Sequence, residues 1–274
     1  MDFTFFFWLL CGLYACGWFF CCLSFFKNQA NFHTLGERVL FLGLGIHLFF
    51  IVSSYIEIGD FSFTSLSGLF LFGSLLVILI YFILDFYFPN EIFEIIFPPL
   101  TIFFLMLSIL IADQSIGTHA FLEKSPVFGK FVLYIHGSFT MLGYLLFGVG
   151  CLTSIFFLYQ EKQIKNKTFH LGDGKVPSLG FLDALNYKVI AVGFLFLTIG
   201  ILVGIAMRVI AHEGHPEVSL RQILPITAWG VYAFFLLDRS VKGLRGKVTA
   251  IWSIVGFLCA ASSFVYEMFA IVNP

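Results

Sequence analysis

Long apolar runs separated by short polar ones dominate this chain, and their lengths identify its elements before any single residue does. Runs of about 18 residues or more with few charges read as membrane-crossing helices, because ~20 residues at ~1.5 Å each match a hydrocarbon core of roughly 30 Å. The pattern predicts eight: Phe3 to Phe26, Arg38 to Tyr55, Leu66 to Leu84, Ile92 to Ala112, a fifth beginning at Lys130, Tyr187 to Met207, a shorter one from Ile223 to Leu237, and Val248 to Ile271. The fifth is the longest, since no charge occurs between Lys130 and Glu161. Pro98 and Pro99 are expected to kink the fourth. The first lacks a basic leader and is too long for a cleaved signal sequence. The expected fold is all-α, a polytopic integral membrane protein of one transmembrane domain over 1–274, with an extra N-terminal span over 1–30 ahead of a core from 38 to 274.

Composition agrees, with 59% hydrophobic, 19% aromatic and 11% charged residues and a mean hydropathy of +0.98. Almost nothing is left to build a separate soluble domain. A net charge of -1 argues against nucleic acid as a partner; the lipid bilayer is the expected surrounding medium. The six cysteines lie within apolar runs and read as small hydrophobes rather than a disulfide framework.

Charge also orients the spans. With both termini outside, eleven of the 15 basic residues fall on the cytoplasmic side, densest at Lys162 to Lys188 and Arg239 to Lys247, and Lys124, Lys130, Arg208 and Arg221 fall outside. The inner linker Glu161 to Asn186 is expected to be a loop with a short surface helix near PSLGFLDAL. The expected location is a bacterial cytoplasmic (inner) membrane.

Seven histidines remain to be placed. His33 and His170 fall on inner loops and read as solvated residues; His119, His212 and His215 fall on outer loops. His47 and His136 lie inside spans, where an ionisable side chain points to a functional site. Counting along the helices separates them in depth by about one turn. Two neutral imidazoles among Phe, Tyr and Leu suit a haem, whose iron takes axial histidine nitrogen and whose propionates seek interfacial cations such as Arg208 and Arg221. The other reading is that each imidazole hydrogen-bonds a neighbouring helix. AHEGHPE is not a zincin site, since its histidines are three apart and Gly214 and Pro216 break the helix. No nucleophile paired with a base is evident, so the chain is not expected to be an enzyme.

Four stretches carry a family resemblance: the His47 span with FTSLSGLFLFGSLL after its outer loop; YIHGSFTMLGYLLFGVGCLTSIFFLYQEKQIKNK; VPSLGFLDALNYKVIAVGFLFLTIGILVG; and ITAWGVYAFFLLDRSVKGLRGKVTAIWSIVGF. In order and spacing they resemble the cytochrome c assembly protein family, in its HemX-like and YpjD-like branch. The lyases of that family carry a tryptophan-rich outer segment where this chain has HEGHPEVSLRQ. They also place histidines near the position of Leu237 and in the following outer loop, and this chain has no histidine after His215. The resemblance therefore implies a haem carrier for cytochrome c maturation or haem homeostasis rather than a complete attachment machine. It implies haem b, with His136 as one axial iron ligand and His47 as the preferred second, His119 and His212 being rivals. Implied partners are haem and other cytochrome c maturation proteins. Two alternatives stand beside this reading. One is an adaptor regulating a cytoplasmic enzyme of tetrapyrrole (haem) synthesis through the basic inner loops. The other is a small-molecule transporter using Glu94, Arg208 and Glu267, disfavoured by the lack of an inverted repeat.

Overall fold

The computed structural model describes residues 3–27, 29–58, 65–111, 126–167, 177–211 and 220–272. Among these residues the chain forms eight long helices and divides into two compact units, Met1–Ile116 and Gly117–Pro274. Seven of the helices are long and apolar enough to cross a membrane, so this is a membrane protein.

The first unit holds α1 (Phe3–Lys27), α2 (Ala30–Ile58), α3 (Leu66–Tyr87) and α4 (Glu91–Leu110). Ser65 caps α3 by accepting from the Gly68 amide, and Asn90 caps α4 by accepting from that of Ile92. Helices α1 and α2 run antiparallel at close range. The Cβ that Gly36 lacks would lie 2.6 Å from Cys21 Sγ and 3.1 Å from the Gly17 carbonyl, so only glycine admits this approach. Leu10, Tyr14, Leu40, Leu66, Ile78 and Tyr81 fill the interior.

Pro98 and Pro99 lie inside α4. Proline has no N–H, so Pro99 leaves the carbonyl of Ile95 without its intrahelical donor. The Trp18 indole N–H of α1 fills that place, donating to Ile95 O at 2.9 Å. In lipid no water can substitute for it. Trp18→Phe keeps an aromatic ring but removes the donor along with part of the indole, and is expected to destabilise the first unit by about 1 kcal/mol or more, read as a lowered thermal midpoint in detergent.

The second unit holds α5 (Pro126–Asn166), α6 (Leu179–Ala211), α7 (Leu220–Lys242) and α8 (Lys247–Val272). Two expectations change here. LGFLDAL is the start of α6 itself rather than a separate surface helix. Ser178 begins it by accepting from the Phe181 and Leu182 amides, while Leu182 and Leu185 are buried. The predicted seventh span, α7, is a helix in the expected place but is not among the seven that meet the length and apolarity needed to cross. Its uncharged core, Ile223 to Leu237, covers roughly 22 Å at ~1.5 Å per residue, and Asp238, Arg239 and Lys242 follow directly.

The packing of α5 on α6 follows a strict alternation. On α5 the seam residues are Leu133, His136, Thr140, Gly143, Phe147, Gly150 and Ser154; opposite them on α6 stand Met207, Gly204, Gly200, Leu197, Gly193, Ile190 and Asn186. Steps of three and four on both helices define an antiparallel heptad seam. Glycine on one side faces a larger residue on the other at most rungs, which brings the backbones together. At the lower end Asn186 donates to Ser154 Oγ.

One end of this unit is pinned by Asp183. Its carboxylate accepts from Arg239 Nη1 at 3.0 Å and Nη2 at 2.8 Å, and from the Gly246 amide at 3.0 Å. The Thr249 hydroxyl lies 3.1 Å away. Gly246 holds φ +79, a left-handed conformation that glycine adopts without strain and that turns its amide toward the carboxylate. One side chain thus ties α6, α7 and α8 together.

Candidate functional site

His136 sits at a glycine rung of the seam. The Cβ that Gly204 lacks would lie 2.7 Å from His136 Cε1 and 3.0 Å from Nδ1, so α6 makes room for the imidazole only because glycine stands there. His136 Nδ1 lies 2.8 Å from the Gly200 carbonyl. A carbonyl can only accept, so the proton is on Nδ1 and a neutral ring keeps its lone pair on Nε2. Among the described residues Nε2 has no hydrogen-bond partner. A backbone carbonyl fixing one ring nitrogen while the other offers a lone pair is the arrangement found behind metal-ligating histidines. One turn along, Thr140 Oγ1 is buried without a partner among the described residues. Phe139 and Phe196 make an edge-to-face pair beside it, centroids 5.2 Å apart. Arg208 stands one turn beyond Gly204 on α6 and is partly buried.

His47 belongs to the first unit, is completely buried, and has both nitrogens engaged. Tyr14 OH is 3.1 Å from Nδ1 and Ser74 Oγ is 3.4 Å from Nε2. Ser74 spends its proton on the Leu71 carbonyl at 2.6 Å, so it can only accept from the ring. His47 therefore carries its proton on Nε2 and receives the Tyr14 hydroxyl at Nδ1. To ligate iron through Nε2 it must move that proton to Nδ1, with Tyr14 turning from donor to acceptor.

His119 and His212 lie outside the described residues, as do His170 and His215; Arg221 falls in the first turn of α7 with its side chain outside them. His33 is not a solvated loop residue. It lies in the first turn of α2 and contacts Glu94 at 2.7 Å and Glu37 at 3.3 Å. The apolar pattern starts the second span only at Arg38, whereas the helix begins at Ala30, so hydropathy alone passes over this cluster. The glutamate at the start of an otherwise apolar α4 was the available signal.

The chain is thus a polytopic helical membrane protein with a histidine fixed through Nδ1 at a glycine-built rung between two helices. It belongs to the cytochrome c assembly protein family, whose pattern matches residues 63–264. It is similar to the cytochrome c biogenesis protein CcsA of Trieres chinensis, 28% identical over 273 residues that cover 89% of this chain and 86% of that one. The CcsA proteins of Chlamydomonas reinhardtii and Solanum tuberosum are 33% and 30% identical over 165 and 151 residues, covering 56% and 46% of this chain. Those two matches span about half the relative's length, 46% and 48%. No solved structure matches.

Proposed function

We propose that the chain acts in cytochrome c maturation by holding a haem b through His136 and presenting it toward the outer face of the membrane. The observation that carries this is the Nδ1 hydrogen bond to Gly200, which leaves the Nε2 lone pair without a partner among the described residues. Haem would be the cargo here, its iron taking an imidazole nitrogen. Gly200 fixes the ring's tautomer, and Gly204 admits the ring between the helices. In this reading Arg208, one turn along α6 from Gly204, would meet a propionate, with Arg221 as its companion. The second axial position is open to His47, His119 or His212. Family membership and CcsA relatives support the maturation role; the HEGHPEVSLRQ segment, without tryptophan, supports a HemX-like carrier over a lyase.

The test is the visible spectrum of detergent-purified protein, oxidised and then reduced. Wild type is expected to show a Soret band with split α and β bands on reduction, and His136→Ala to lose most of it. Single alanine variants at His47, His119 and His212 identify the second ligand by which of them changes the spin state. Colourless wild type from haem-replete cells would sink the haem reading and leave the adaptor.

A further inference from the structure

We propose that His33, Glu37 and Glu94 form a binding site for one divalent first-row metal cation, such as Zn2+, at the end of the first unit where α1 finishes and α2 and α4 begin. This site is independent of haem. One ligand atom from each residue lies within 4.8 Å of the others. His33 Nε2 is 2.7 Å from Glu94 Oε1, and its Nδ1 is 3.3 Å from Glu37 Oε2. One ring nitrogen with an oxygen from each carboxylate is a donor set that suits a small cation keeping a position open. The two carboxylates face opposite ring nitrogens, so an ion held by Nε2 and Glu94 takes Glu37 once that partly exposed side chain swings over from Nδ1.

Charge points the same way. Glu94 is 2% exposed in a helix apolar enough to cross a membrane. Neither it nor Glu37 has a lysine or arginine partner among the described residues. A protonated His33 brings one positive charge against two carboxylates, whereas a divalent ion balances both. Burying an unbalanced carboxylate is strongly unfavourable.

A second observation lies outside the three residues. Tyr81 is completely buried, yet its hydroxyl has no hydrogen-bond partner among the described residues. It stands within electrostatic reach of Glu94, Asp85, Cys21 and Glu37. Its ring lies 6.3 Å from that of Phe97, one turn along α4 from Glu94, and a phenol hydroxyl left over in that neighbourhood is suited to a water on the bound ion. The buried Cys21 thiol already hydrogen-bonds Glu94 and offers a soft ligand that favours zinc among these cations. The ion would join α2 to α4, helices that each pack on α1.

The test is equilibrium dialysis of the full chain in detergent against Zn2+ alone, with bound metal counted by elemental analysis. Wild type is expected to retain about one Zn2+ per chain at this site. His33→Ala and Glu94→Gln should each weaken binding at least ~10-fold, since even residues supporting the ligands are worth that much. His215→Ala should not. As a check that survives misfolding of the buried variants, Zn2+ should raise the thermal midpoint of wild type and not that of Glu37→Gln, a substitution at a partly exposed position. Equal uptake by wild type and all three cluster variants overturns the proposal, as does loss in His215→Ala alone; the cluster is then a histidine bridging two carboxylates.

Discussion

Gly200→Val is expected to lower stability by about 3 kcal/mol and to remove whatever haem absorbance the wild type shows. The Cβ added at Gly200 would collide with the Thr140 hydroxyl and would lie 3.1 Å from the Thr140 backbone nitrogen and 3.2 Å from its Cα. The hydroxyl could rotate, but the backbone of α5 could not, so the helices must part. Overpacking of this kind costs about 1–3 kcal/mol, occasionally more, and valine's branch at Cβ leaves no rotamer that avoids it. The carbonyl that fixes His136 belongs to the same residue, so the separation also lengthens that hydrogen bond. Gly230→Ala is the matching control, because a Cβ there meets nothing within 4 Å. Thermal unfolding in detergent checks the first effect and the Soret band the second; an unchanged midpoint in Gly200→Val would refute the seam.

Asp183→Ala should be as damaging, again by about 3 kcal/mol. The side chains of Asp183 and Arg239 are 13% and 11% exposed, and removing one member of such a pair strands the other's charge. Arg239 lies 4.6 Å from the Tyr187 ring centroid, which holds the guanidinium in place after its partner is gone. The Gly246 amide loses its acceptor as well. Asp183→Ala/Arg239→Met should recover part of the loss, since an apolar replacement of both partners leaves no buried charge. If the double variant is less stable than Asp183→Ala, the ion pair is not the cause.

Much of this architecture is legible in the chain because run length decides helix number. Charged residues end the runs, and the boundaries of α1, α3 and α8 fall within a few residues of those expected. The seam of α5 was also present in the sequence: His136, Thr140, Gly143, Phe147, Gly150 and Ser154 step by four and three, with small residues recurring. Reading hydropathy alone passes over it, because in lipid small residues, not apolar ones, mark helix contacts. By hydropathy the polar first turns of α2 look like loop, although a helix can begin with polar residues when its His33 and Glu37 find a carboxylate and an imidazole on other turns. That Glu94 would be the carboxylate is a long-range fact no local pattern contains. The tautomer of His136 likewise depends on a carbonyl 64 residues away.

The donation from Trp18 to the carbonyl that Pro99 leaves bare bears on where this protein can be divided. The family's shared segment starts at residue 63, which places α1 and α2 outside it. Yet the carbonyl in question lies inside that segment, at Ile95, and its donor lies outside, at Trp18. A fragment trimmed to the shared segment would carry an open acceptor into the hydrocarbon with no water to fill it. The boundary drawn by kinship is therefore not a boundary of self-sufficiency: α1, though peripheral by descent, is a component of α4's own backbone accounting.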